Sequence, residues 1–129
     1  MNSEPIKFLL VDDTEENLVA LEPLLRRDGL ELLLARSGSE ALELLLKHDV
    51  SLVLLDVQMP VMDGLAATRL IRDQSKRIGR PIIIALTADA MPEDRDKCMR
   101  AGMDDYLSKP ISSKRLTEML EKHGPNATR

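Results

Sequence analysis

Three aspartates stand directly after apolar runs. Asp12 and Asp13 follow Phe8-Leu9-Leu10-Val11, and Asp56 follows Leu52-Val53-Leu54-Leu55. A hydroxyl, Thr87, closes the run Ile82-Ile83-Ile84-Ala85-Leu86, and an ammonium, Lys109, comes just after Tyr106-Leu107. Brought together, these residues make a pocket of three carboxylates, one hydroxyl and one cation. Converging carboxylates repel one another and resist joint ionisation unless a cation is bound among them. A hard divalent ion is therefore expected. Magnesium suits such a site, because it takes one or two carboxylates plus phosphate oxygens and keeps several waters. The Asp/Asn ladder and glycine of a helix-loop-helix calcium site are missing. A carboxylate can also attack phosphorus and carry an aspartyl phosphate, leaving the protein to position the group and neutralise its charge. Asp56 is the candidate nucleophile, with the metal on one side of the phosphoryl oxygens, Lys109 on another and the Thr87 hydroxyl donating to a third. Loss of the Lys109 charge is then expected to damage signalling more than folding. Taken singly, Asp12 or Asp13 also reads as a helix cap, Thr87 as a strand end and Lys109 as a solvated side chain. Their joint position is what favours the chemical reading.

That joint position depends on the elements. The three apolar runs are too short for helices and do not alternate with polar residues, as expected of strands buried on both faces. Leu32-Leu33-Leu34-Ala35 is a fourth strand of this kind, and Tyr106-Leu107 before Lys109-Pro110 is a weaker fifth. Between them the apolar period changes to that of amphipathic helices: Leu18, Leu21 and Leu25; Ala41, Leu42 and Leu45; Leu116, Met119 and Leu120. Gly29 and Gly102 sit where helix-ending glycines belong, and Ser37-Gly38 and Ser112-Ser113 open helices. Pro92 with Glu93-Asp94 suits another helix start. Strand then helix, five times over, predicts a doubly wound parallel α/β sheet with helices on both faces. In such sheets ligands bind beyond the carboxyl ends of the strands, where the winding reverses. Asp12-Asp13, Asp56, Thr87 and Lys109 all fall at those ends.

The 129 residues, 43% hydrophobic, suffice for one core, expected over residues 1–124 with a loose tail at 125–129. Aromatic residues make up only 2% of the chain, so the core must be aliphatic and the single tyrosine, Tyr106, stands out. A net charge of -4 argues against a nucleic-acid surface. The densest basic stretch, Lys76 to Arg80, reads as a solvated loop. Cys98 is the sole cysteine, which rules out an intrachain disulfide and fits a reducing compartment. No stretch approaches the ~20 apolar residues of a bilayer span, and residues 1–7 are too short and polar for a signal peptide. A cytoplasmic protein without membrane contact is expected.

Residues 6–122 resemble the receiver domain of two-component response regulators. The resemblance rests on four blocks in order: Leu10-Val11-Asp12-Asp13; Leu54 through Gly64, including Asp56-Val57-Gln58-Met59-Pro60; Leu86-Thr87-Ala88; and Ala101 through Ile111, including Asp104-Asp105-Tyr106-Leu107-Ser108-Lys109-Pro110. The last block, with Ala88-Asp89-Ala90-Met91, is most similar to receivers of hybrid sensor kinases and phosphorelays. The resemblance implies a three-layer, five-stranded (βα)5 sheet of order 2-1-3-4-5, flavodoxin-like and CheY-like. It implies Asp56 as phosphoacceptor, Mg2+ held directly by Asp13, Asp56 and the Gln58 backbone carbonyl and through water by Asp12, and Thr87 with Tyr106 as the switch pair. The threonine hydroxyl would move toward the phosphoryl oxygens and the ring inward, altering the face made by the fourth helix, fifth strand and fifth helix as a shift between two states. A cis bond before Pro110 would aim Lys109, and Gln58 and Asp89 would set phosphoryl lifetime. Such a domain is no conventional enzyme, although it catalyses its own phosphorylation and dephosphorylation. Its phosphodonor is a histidine kinase or a histidine phosphotransfer domain, including a kinase core in the same parent chain. Neither His48 nor His123, both at expected helix ends, looks like a donor.

Rival readings fit less well. A haloacid-dehalogenase-type phosphatase needs a second acid two residues after its nucleophile, where this chain has Gln58. A flavin binder needs a hydroxyl- and glycine-rich phosphate loop, where this chain has Asp12-Asp13-Thr14-Glu15-Glu16. The glycine-lysine loop of nucleotidases is missing. A receiver-like module that binds partners without being phosphorylated remains as the non-enzymatic alternative.

Overall fold

A computed structural model describes residues 6–25, 30–56, 64–79, 81–87, 92–108 and 112–122. Five short segments form parallel strands: β1 Ile6–Val11, β2 Leu30–Ala35, β3 Leu52–Asp56, β4 Ile82–Thr87 and β5 Asp105–Ser108. The sheet order is β2-β1-β3-β4-β5. The helices are α1 Glu15–Leu25, α2 Gly38–Lys47, α3 Gly64–Asp73, the single turn α4 Ser75–Ile78, α5 Pro92–Ala101 and α6 Ser113–Lys122.

Alternation along each strand divides the core in two. Phe8, Leu10, Leu52, Leu54, Ile84, Leu86 and Leu107 face α1 and α6 and pack on Leu18, Leu21, Leu25, Leu116 and Met119. Leu9, Val11, Val53, Leu55, Ile83 and Ala85 face the other helices and pack on Ala41, Leu45, Ala67, Ile71, Ile78 and Cys98. Each fully buried Leu or Ile contributes about 1.5–3 kcal/mol, so both faces are strongly specified. The central strand β3 is buried at every residue. In β2, by contrast, only Ala35 is buried. The expectation of burial on both faces fails there because β2 is an edge strand, paired among the described residues with β1 alone.

Local signals end the helices as their chemistry dictates. The Ser37 hydroxyl accepts from the Glu40 backbone N–H at 3.0 Å, capping α2. Ser112 does the same for Arg115 at 3.2 Å ahead of α6. Gly102 follows α5 with φ +109, a conformation that a side chain would strain. Pro23 lies inside α1 and cannot donate to the Val19 carbonyl, but both residues are exposed, so water can serve that acceptor. Gly29, also expected to end a helix, lies outside the described residues, as do 124–129. His48 caps the end of α2, as anticipated, and its Nδ1 lies 3.1 Å from the Lys7 Nζ on β1.

One basic segment differs from its expected form. Within Lys76 to Arg80, read as a loop, Lys76 and Arg77 belong to α4; Arg80 lies outside the described residues. The Gln74 carbonyl accepts from both Arg77 and Ile78 at 2.9 Å, and buried Ile78 anchors the turn while the two cations stay exposed. The fourth and fifth helices of the five-helix pattern are accordingly α5 and α6 here.

At the end of the sheet opposite the aspartates, Arg72 of α3 ties three segments together. Its Nε donates to the Gly102 carbonyl at 2.9 Å, and its terminal nitrogens to the Pro81 carbonyl and Asp104 Oδ2, both at 2.8 Å. Asp104 Oδ2 also accepts from the Ile83 N–H at 2.9 Å. The end of α3, the start of β4 and the α5–β5 turn thus share one charge-assisted network.

Candidate functional site

Strand register assembles the site. Val11 pairs with Leu55, Asp56 with Leu86, and Thr87 with Ser108. Asp12, Asp56 and Thr87 therefore form a row along the carboxyl edge, where the chain reverses its winding between β2 and β3. The Asp12 N–H still bonds the Ala35 carbonyl at 3.0 Å, which holds this residue in line with the sheet before the chain turns into α1.

Carboxylate oxygens of Asp12, Asp13 and Asp56 lie within 4.8 Å of one another. Asp12 is fully buried and Asp56 nearly so at 4%, while Asp13 is half-buried toward solvent. Buried carboxylates need partners. Asp12 Oδ1 accepts from the Thr14 N–H at 2.9 Å, and Oδ2 from the Asn17 side-chain amide at 3.1 Å. Asp13 receives a long contact of 3.4 Å from the Thr14 hydroxyl. These two donors, from Thr14 and Asn17, are neutral and orient the carboxylate. A cluster of three acidic oxygens at this spacing, with Asp13 partly exposed, has the donor chemistry of a hard-cation site.

Thr87 is buried at 5% exposure. Tyr106 pairs with Ala85, two residues before Thr87, so the ring and the hydroxyl lie on the same face of the sheet. The ring is half-buried against the core, and the Arg95 guanidinium of α5 stands 5.4 Å from its centroid. At the start of β5, nearly buried Asp105 is bridged to Lys122 of α6 at 3.0 Å, and its Oδ1 accepts the Tyr106 N–H at 2.9 Å. The α5–β5–α6 face is thus joined by contacts centred on Asp105 and Tyr106. Lys109, Gln58, Asp89 and Pro110 lie outside the described residues; β5 ends at Ser108, beside Thr87.

Asn17 and Arg95 did not emerge from sequence reasoning. Asn17 stands five residues after Asp12, in the first turn of α1, where an amide ordinarily reads as solvated. Arg95 meets its ring across eleven residues of chain, a contact that only the fold creates.

With a doubly wound sheet and three aspartates at its switch point established, the comparisons agree. A family model for the response regulator receiver domain matches residues 8–121, and the chain belongs to that family. It is 40% identical over 124 residues to the sensor histidine kinase GacS of Pseudomonas protegens, covering 95% of this chain and 14% of GacS. Against the aerobic respiration control sensor ArcB of Escherichia coli it is 38% identical over 117 residues, covering 91% of this chain and 15% of ArcB. The chain therefore spans only about a seventh of these relatives. Among solved structures, the receiver domain of sensor histidine kinase PA1611 from Pseudomonas aeruginosa, with magnesium in its active-site cleft, matches with a TM-score of 0.81 at 38% identity, covering 92% of this chain and 96% of that one. A chain in the co-crystal of the Saccharomyces cerevisiae phosphotransfer protein Ypd1 and the receiver domain of Ssk1 matches at 0.85 and 31%, covering 94% and 90%. These matches bear out the flavodoxin-like fold and the resemblance to receivers of hybrid sensor kinases and phosphorelays. The matching family is that of a receiver rather than of an enzyme. Among the described residues no helix is long and apolar enough to cross a membrane.

Proposed function

We propose that this receiver takes a phosphoryl group onto Asp56 from a phosphohistidine and answers through Thr87 and Tyr106. The observation that carries the reading is the convergence of Asp12, Asp13 and Asp56 within 4.8 Å at the carboxyl ends of β1 and β3. An Asp56 oxygen attacks phosphorus, the phosphorus–nitrogen bond of the donor breaks, and its electron pair returns to the imidazole, which takes up a proton. Nucleophile and donor stay in line while negative charge builds on the phosphoryl oxygens.

Asp13, Asp56 and the Gln58 backbone carbonyl would hold Mg2+ directly, with Asp12 acting through water. The two hydrogen bonds already accepted by Asp12 support an indirect role for it. The ion would supply charge neutralisation at the phosphoryl oxygens. The Lys109 ammonium neutralises a second side and the Thr87 hydroxyl donates to a third oxygen. Thr87 then leaves room for the Tyr106 ring, and the α5–β5–α6 face changes with it. Gln58 and Asp89 flank the water that ends the state and set its lifetime, so the domain catalyses both its own phosphorylation and its own dephosphorylation.

The domain spans residues 1–124 and works in the cytoplasm. Its donor is a histidine kinase or a histidine phosphotransfer domain. GacS and ArcB, both sensor proteins far longer than this chain, support a kinase core in the same parent protein as one such source. Incubation with acetyl phosphate and Mg2+ followed by intact mass measurement tests the reading. The expected result is a gain of one phosphoryl group that needs the metal and disappears in Asp56→Asn. No gain, or a gain that survives Asp56→Asn, would sink it.

A further inference from the structure

Tyr106 has two sets of neighbours. Its ring packs against the core face that contains Ala85, and the Arg95 guanidinium stands 5.4 Å from the ring centroid. A cation within about 6 Å of an aromatic face is attracted by the ring quadrupole, and arginine adds planar stacking. Helix stability does not account for a cation at this point. Arg95 is the fourth residue of α5, near the helix's positive end, where a positive charge is disfavoured. The contact with Tyr106 is what Arg95 gains there.

We propose that Arg95 is a positioning residue that latches Tyr106 in its present, half-buried position and so sets how much phosphorylation is needed to throw the switch. This rests on the reading of Tyr106 as the switch residue. The guanidinium is carried by α5 and the ring by β5, so inward movement of the ring gives up the contact unless α5 follows. Whatever favours the contact therefore opposes the phosphorylated state. A cation–π contact at an exposed site is worth about two- to fivefold in a population ratio.

Tyr106 is the only tyrosine and the chain has no tryptophan, so intrinsic fluorescence reports this ring alone. The full chain, with Mg2+, is titrated with beryllofluoride as a phosphoryl mimic, with binding followed separately by calorimetry. Arg95→Ala should alter ring emission before any mimic is added and lower the half-saturating concentration about two- to fivefold. Arg95→Lys, which keeps a cation but loses planar stacking, should fall between the two. Thermal stability should barely change, since Arg95 is exposed. If wild-type emission responds but Arg95→Ala leaves the midpoint unchanged, the latch is wrong. If calorimetry shows the mimic bound while wild-type emission stays constant, the switch reading of Tyr106 fails, and the latch with it.

Discussion

Replacing Asp13 with Asn should stabilise the metal-free protein, although it removes a residue of the proposed metal site. The three carboxylates lie within 4.8 Å of one another. At that separation each pair of charges costs roughly 0.9 kcal/mol in a water-like medium and about 3.5 kcal/mol at an effective dielectric constant of 20. Asp13 is the half-exposed member, so the lower figure applies. Its two pairs then sum to about 2 kcal/mol of repulsion. Against this stands the favourable interaction of a negative charge with the start of α1, about 0.3–1 kcal/mol. The 3.4 Å contact from Thr14 is too long to add much. The net gain for Asp13→Asn is about 1 kcal/mol, or roughly 4 °C in Tm for a chain of this size. Differential scanning calorimetry at low salt with a chelator is the assay. Salt at ~1 M should erase most of the gain, because the screening length falls to about 3 Å. Mg2+ should reverse the order: at a hundred times Kd it adds about 2.7 kcal/mol to the wild type and much less to the variant. A metal-free variant that melts below the wild type, or equal stabilisation of both by Mg2+, would refute the reasoning.

Other perturbations probe separate links. Asn17→Ala leaves Asp12 Oδ2 without its amide donor and should weaken Mg2+ binding by roughly fivefold to tenfold, the loss of about one hydrogen bond, measured by calorimetric titration. Arg72→Ala strips one partner from a mostly buried ion pair and orphans two carbonyls, so urea unfolding should show a loss of about 3 kcal/mol, with Arg72→Lys recovering only part of it. Gly102→Ala should cost about 1–2 kcal/mol, because φ is +109 and the new Cβ would stand 3.0 Å from the Arg72 Cγ. Lys109→Ala should abolish acetyl phosphate-driven change in Tyr106 emission while shifting the urea midpoint little.

The parts of this fold that were legible in the sequence are those where one physical signal dominates. Leu52 to Leu55 and Ile82 to Leu86 read as strands because an unbroken apolar run of that length is too short for a buried helix and does not alternate with polar residues. Leu18, Leu21 and Leu25 read as a helix face because their spacing suits nothing else. Asp12, Asp13 and Asp56 were legible as a site because each follows such a run, so parallel topology alone brings them together. The turn Ser75–Ile78 escaped because four residues carry no helical period, and its one anchor, Ile78, gains meaning only from the core behind it. The exposure of β2 escaped because its run Leu32 to Ala35 is as apolar as those of the central strands, and the exposed Glu31 lies just ahead of that run. Asn17, Arg72 and Arg95 escaped for another reason. Polar helix residues read as solvated until the fold supplies Asp12, Asp104 or Tyr106 opposite them.

The most direct test of the central claim is to find the atom that carries the phosphoryl group. An acyl phosphate, unlike a phosphoester, is reduced by borohydride to an alcohol. Protein treated with acetyl phosphate and Mg2+, then reduced and digested, should yield a peptide in which the Asp56 side chain alone has become the alcohol, with no such product when Mg2+ is chelated. Reduction at Asp12 or Asp13, or phosphate recovered as a stable ester or not at all, would contradict the assignment of Asp56 as phosphoacceptor.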